Sequence, residues 1–213
     1  QNKGNSHFYL FFFFYLTNST AYKSRYPENW LEKYDAFFND VKRVLVKNQY
    51  NQSNKFSIWK YVGDEVLLKK EVLSLSDVLS APSEVYDAFK ECINALRGKE
   101  KPHLLSIKAT LWLAKLHERK QNLDSPDSTK NIIINLSEMP HESNKDFLGS
   151  DIDLGFRLSK FSSRGCLAVS ANIAYILLHN INKIKEKFKY DPVKSLKIVG
   201  YESLKGIWNE RKY

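Results

Sequence analysis

Residues Phe8–Leu16 read FYLFFFFYL, an unbroken apolar and aromatic run followed by the polar Thr17-Asn18-Ser19-Thr20. Nine residues reach about 30 Å as an extended strand and less than half of that as a helix, so the run is too short to cross a bilayer helically. No small-residue cleavage site follows it, and it carries no signature of an export leader. A run with no polar alternation is the pattern of a strand buried on both faces, and β1 is expected there, in the centre of a sheet. The rest of the chain must then supply two layers to cover it.

Composition agrees with a packed protein. Of 213 residues, 43% are hydrophobic and 14% aromatic, against only eight Gly and six Pro, which excludes a disordered chain. At this length one core is expected, spanning 1–213 as a single domain. Cys92 and Cys166 are too few for a disulfide framework and have no neighbours suggesting a metal site, so a reducing, cytoplasmic setting is expected. The five His residues show no mutual metal-binding spacing. The formal charge of +9 favours a polyanionic partner, either nucleic acid or a phosphate-rich small molecule, without choosing between them. No membrane partner is expected.

After the first strand, Asn18-Ser19-Thr20 are expected to cap a helix whose inner face carries Trp30, Leu31, Tyr34, Phe37, Phe38, Val41, Val44 and Leu45. FSIWKYV (56–62) and EVLLKKEV (65–72) flank Gly63-Asp64, a hairpin signal. A helix is expected from Ser76 to Leu96, a strand over about 104–113, a loop over 118–130 and a strand over 131–136. Asp151–Phe161 reads as a short helix, Cys166–Ser170 as a strand, Ala171–Phe188 as one long helix, and Leu196–Trp208 as a closing hairpin. The pattern is an α+β sandwich of mostly antiparallel sheet under helices.

Three segments together carry a family resemblance. Lys60-Tyr61-Val62-Gly63-Asp64 is similar to the Lys-x-x-Gly-Asp hairpin of class III adenylate and guanylate cyclases. Asp146 through Leu158 resembles that family's Asp-x-x-Gly-x-x-Val-Asn-x-Ala-x-Arg-Leu helix, with Gly165–Ser170 similar to the strand that follows it. Leu204-Lys205-Gly206 resembles its terminal turn. The resemblance implies a class III cyclase-like fold, a head-to-tail homodimer with shared active sites, and conversion of a nucleoside triphosphate to its 3′,5′-cyclic monophosphate and pyrophosphate.

It further implies roles for single residues. Asp64 would hold Mg²⁺ or Mn²⁺, Lys60 and Asp146 would read the base, and Arg157 would stabilise transition-state charge. Asp153 stands at the family's ribose-orienting Asn, Lys205 would grip the triphosphate, and Asn18, Ser19 and Thr20 would cradle phosphate at a helix start. One position departs from the family: Tyr15 stands where a second metal Asp is expected, and a phenol is a poor ligand for a hard cation. Glu65, Asp151 and Asp153 are the candidates to replace it.

The short chain, its divergent first strand, and Trp59 and Tyr61 resemble the pyrimidine cyclases of bacterial Pycsar anti-phage defence, which make cyclic UMP or cyclic CMP for a separate effector protein. An adenylate cyclase, a non-catalytic nucleotide-binding relative and a nucleic-acid binder are the alternatives, the last disfavoured because the aromatic run reads as core.

Overall fold

The computed structural model describes residues 6–48, 54–98, 105–118, 131–136 and 144–198. The apolar run forms β1 (Ser6–Thr17), held antiparallel between β3 (Glu65–Glu71) and β4 (Ser106–Glu118). It is the central strand expected, and Tyr9 through Phe14 are all buried, while Phe8 at its start is exposed. Successive side chains of a strand point to opposite faces. Leu10, Phe12, Phe14 and Leu16 therefore enter one core, and Tyr9, Phe11 and Phe13 enter a second.

The first core is covered by α2 (Trp30–Asn48), α3 (Leu75–Gly98), α5 (Ala171–Leu178) and α6 (Ile181–Phe188), through residues such as Phe37, Val41, Phe89, Ile173 and Ile184. The second is aromatic: Phe11 stacks on Trp112 at 5.3 Å between ring centroids, and Phe147 meets Phe11 edge-on at 5.1 Å. α4 (Ser150–Leu158) closes it with Ile152, Leu154 and Leu158.

The strand order is β2-β3-β1-β4-β5-β6, with β2 at Ser57–Val62, β5 at Asn131–Asn135 and β6 at Lys145–Leu148. Four neighbouring pairs are antiparallel, while β5 and β7 (Leu167–Val169) both run parallel to β4, at its two ends. Laid flat, β2 and β6 would lie about 24 Å apart, five spacings of ~4.8 Å. Yet Lys60 of β2 and Asp146 of β6 are in contact at 2.9 Å. The sheet therefore curls until its opposite edges meet over the aromatic core.

Several expectations need correction. Asn18, Ser19 and Thr20 do not cap the long helix. They open a separate short helix, α1 (Ser19–Arg25), and Asn18, left-handed at φ 60°, makes no side-chain cap. The strand expected near 104–113 runs to Glu118, because the second core needs Trp112, Ala114 and Leu116. Asp146–Leu148 belongs to β6 rather than to the helix that follows, which starts at Ser150 and ends in a 3-10 turn, Ser159–Phe161. The helix expected over 171–188 breaks at His179-Asn180, where the Asn180 side-chain amide donates to Ile176 O at 2.8 Å. A further short helix, α7 (Pro192–Ser195), follows, and the hairpin expected over Leu196–Trp208 falls outside the described residues from 199 onward. Both cysteines are free, Cys92 buried and Cys166 exposed, and no described helix is long and apolar enough to cross a membrane.

Gly155 is where α4 touches the sheet: a methyl group there would fall inside the Trp112 indole. Gly155→Ala would gain about 1 kcal/mol of helix propensity, but overpacking of a filled core outweighs it by about 1–2 kcal/mol. Urea unfolding of this variant is expected to give a lower midpoint at an unchanged slope, and a raised midpoint would mean that α4 does not press on Trp112.

Candidate active site

Where the sheet edges meet, one carboxylate oxygen gathers three donors. Asp146 Oδ1 accepts from Lys60 Nζ at 2.9 Å, from Trp59 Nε1 at 3.0 Å and from the Phe147 backbone N–H at 2.9 Å. Adjacent residues of a regular strand would point to opposite faces. Here the β2–β3 register shifts between Ile58 and Lys60, and this bulge turns Trp59 and Lys60 onto the same carboxylate. Trp59 lies against Phe11 and Phe147, and the Lys60 ammonium sits 4.2 Å from its ring. Burial alone would raise the Asp146 carboxyl, but its donors outweigh this, the Lys60 hydrogen bond first, and hold it below the ordinary value.

A second cluster forms at the other end of the hairpin. Gly63, at φ +58°, makes the turn, and Leu16 N–H donates to Asp64 O at 3.2 Å, pinning the turn against the end of β1. Tyr15 is paired with Glu65 on one side and Lys108 on the other, so three side chains from adjacent strands share one face. The Lys108 ammonium lies 4.6 Å from the Tyr15 ring. Burial, then the Asp64 and Glu65 charges, raises the Tyr15 phenol, while the Ser19 hydroxyl hydrogen-bonded to it opposes the rise. Burial and then Asp64 raise Glu65 above the ordinary carboxylate value, and Lys108 opposes them.

Two carboxylates whose like charges repel each other, with the Tyr15 and Ser19 hydroxyls nearby, suit one divalent cation. Among the described residues no three His, Cys, Asp or Glu side chains converge as a metal site. Of the three candidates to replace the missing carboxylate, the structure brings Glu65 to Tyr15. Asp151 is committed elsewhere: its Oδ2 accepts from Asn131 Nδ2 at 2.7 Å and from the Lys115 N–H at 3.4 Å, while its own N–H donates to Asn131 Oδ1 at 2.9 Å. Asn131 thereby anchors the start of α4 to β4 and β5. It also explains Gly149, whose φ of +134° brings its backbone so close that a Cβ would strike Asn131.

Asp153 and Arg157 lie one helical turn apart on the exposed face of α4, the separation that stacks two side chains on one helix face. Neither side chain forms an ion pair or hydrogen bond among the described residues. Ser19 is buried against Tyr15, whereas Asn18 and Thr20 are exposed beside it. Lys205 lies outside the described residues. Two participants were not assigned a role from sequence: Trp59 as a donor to Asp146, and Lys108. The bulge that aims Trp59 leaves no mark in sequence, and Lys108 joins Tyr15 only through the β1–β4 register.

No family model and no curated protein matches the chain. Among solved structures it is similar to the guanylyl cyclase Cya2, at TM-score 0.61 and 14% identity over 96% of this chain and 88% of that one. It is similar to the adenylyl cyclase CyaB from P. aeruginosa, at TM-score 0.58 and 17% identity over 83% of each chain. The dimeric guanylyl cyclase domain of the RhoGC fusion protein from the aquatic fungus Blastocladiella emersonii gives TM-score 0.57 and 12% identity over 82% of this chain and 86% of that one. The fold is that of class III nucleotidyl cyclase catalytic domains.

The Lys60–Asp146 contact has a signed pH dependence. The folded carboxyl binds its proton less tightly than the unfolded one, so its stabilisation is present above the ordinary value near 3.8 and is lost as pH falls through the lower folded value. Denaturant unfolding of wild type and Asp146→Asn should therefore differ by a constant amount from neutral pH to about pH 5, with the gap closing below about pH 4. A gap that widened on acidification would contradict the pairing.

Proposed function

We propose that this chain is one nucleotidyl cyclase domain, converting a nucleoside triphosphate to its 3′,5′-cyclic monophosphate and pyrophosphate, with UTP or CTP as substrate. The observation that carries this reading is the Lys60–Asp146–Trp59 cluster at the meeting of the sheet edges, with Asp64 and Glu65 at the neighbouring hairpin turn. Likeness to adenylyl and guanylyl cyclase structures supports it, and so does the spacing of Asp153 and Arg157.

Asp146 Oδ1 is saturated by three donors, and its Oδ2 takes none among the described residues. That oxygen can accept from the exocyclic amine of cytosine or the ring N–H of uracil, while Lys60 donates to the neighbouring acceptor, ring N3 of cytosine or a carbonyl of uracil. Adenine presents a similar donor and acceptor edge, so volume must choose. Trp59, packed against Phe11 and Phe147 within 5.2 Å and hydrogen-bonded to Asp146, sets a bulky ring beside that carboxylate, which supports the smaller base. Resemblance to Pycsar cyclases points the same way, and the role proposed on it is that of the signal-producing enzyme of an anti-phage system, with a product that acts on a separate effector protein.

In the proposed reaction the ribose 3′-oxygen bonds to the α-phosphorus, the bond from that phosphorus to the bridging oxygen breaks, and pyrophosphate leaves with the electron pair. The hydroxyl proton passes to solvent. Mg²⁺ or Mn²⁺ held by Asp64 and Glu65 would supply Lewis acidity at the phosphates. Arg157, fixed in charge, offsets the negative charge that grows on the transferring phosphoryl group. Asp153 accepts a hydrogen bond from a ribose hydroxyl and orients it, and Lys205 holds the triphosphate. Asn18, Ser19 and Thr20 open α1, whose first N–H groups have no intrahelical acceptor and face phosphate. The proposed working state is a homodimer in which each site takes Asp64 from one protomer and Arg157 from its partner.

Incubation with Mn²⁺ and ATP, GTP, CTP or UTP, with products identified by mass against 3′,5′-cyclic standards, tests this directly. Cyclic UMP or cyclic CMP is expected. Cyclic AMP would keep the reaction and overturn the base assignment, and no product from folded protein would favour a nucleotide-binding relative that has lost turnover with Tyr15. Trp59→Ala is expected to raise the purine-to-pyrimidine turnover ratio on the order of tenfold, the scale of a pocket-volume effect.

A further inference from the structure

Tyr15 removes a carboxylate from the place where the resemblance requires one, and the structure puts a cation beside the change. Lys108 is half-buried, paired across the β1–β4 ladder with Tyr15, and its ammonium lies 4.6 Å from the phenol ring. Among the described residues it forms no ion pair or hydrogen bond, although Glu65, on the far side of Tyr15, feels its charge. A half-buried Lys without a hydrogen-bonding partner, held in position by a ring, has donors to spare.

Among the described residues, the charged groups acting on or beside Tyr15 and Glu65 are two carboxylates, Asp64 and Glu65, and one ammonium, Lys108. One divalent ion is matched by the two carboxylates. A second, placed beside the Tyr15 phenol, would meet a neutral oxygen in place of a carboxylate and an ammonium within a few ångströms, where like charges repel. The site disagrees with a two-ion requirement.

We propose that Lys108 binds the triphosphate of the substrate as a built-in cation, so that this site works with one divalent ion where the missing carboxylate would have held another. The inference rests on the nucleotidyl cyclase reading. Lys108 donates to phosphate oxygens and spreads their charge. It takes up no proton from the ribose, and the bonds made and broken are those already given.

The direct test is calorimetric binding of inorganic tripolyphosphate, first in EDTA and then with Mn²⁺, to wild type and to Lys108→Ala and Lys108→Arg. Wild type should bind in EDTA, Lys108→Ala should bind about ten- to a hundredfold more weakly, and Lys108→Arg should recover most of the loss. Mn²⁺ activation of cyclisation should follow a simple one-ion curve in wild type and become sigmoidal in Tyr15→Asp/Lys108→Ala, which restores a second carboxylate and removes the ammonium. If folded Lys108→Ala binds tripolyphosphate as tightly as wild type, or wild type already needs two ions, the inference fails even though cyclic product is made. If wild type makes no cyclic product at all, the underlying reading fails instead, and the EDTA binding result records this separately.

Discussion

The protein is organised around a strand that has no solvent face over most of its length. β1 runs between β3 and β4 with side chains from Tyr9 to Phe14 buried, and its even and odd positions feed different cores. A fully buried large apolar side chain contributes about 1.5–3 kcal/mol, so this one strand supplies a large part of the hydrophobic driving force. It also sets the register of everything beside it. Shifting β1 by one residue would exchange its two faces, send Tyr15 into the helical layer and dissolve both clusters of the site.

The aromatic face explains why the edges of the sheet meet. Tyr9, Phe11, Trp59, Trp112 and Phe147 need cover, and α4 covers only part of them, so the sheet curls to bring β2 over β6. The Lys60–Asp146 ion pair forms at that closure. Since both partners retain contact with solvent, its contribution to stability is small, and its value is in fixing the position of a charged donor and an acceptor. The same burial removes the rings of Tyr9, Phe11, Phe12, Phe13 and Phe14 from any surface on which bases could stack, which argues against a nucleic-acid platform along the middle of this strand.

How much was legible in sequence follows from which forces are local. The β1 run, the Gly63-Asp64 turn and the long helices were readable because apolar period and turn chemistry are properties of consecutive residues. β6 was not, since Lys145–Leu148 shows no alternation of its own and becomes a strand only by pairing with β5. The break at His179-Asn180 was hidden because the apolar stripe of α5 continues in α6, with Ile173, Leu177 and Ile184 all reaching one core. The family motif pointed to Lys60, Asp64, Asp146, Asp153 and Arg157, of which the structure brings Lys60 and Asp146 into contact. The bulge that adds Trp59 and the register that adds Lys108 are long-range facts. Among the three candidate carboxylates, only strand pairing sets Glu65 across from Tyr15, and only the fold engages Asp151 with Asn131.

In the proposed working state one chain carries two complementary half-sites, Asp64 with Glu65 on one side and Asp146 with Arg157 on the other. Mixing equal amounts of folded Asp64→Ala and Arg157→Ala, each inactive alone, tests it most directly. A symmetric dimer with shared sites leaves one intact site in each mixed dimer, so about a quarter of wild-type cyclase activity should return after subunit exchange. Full exchange with no activity, from partners that are individually folded, would contradict it.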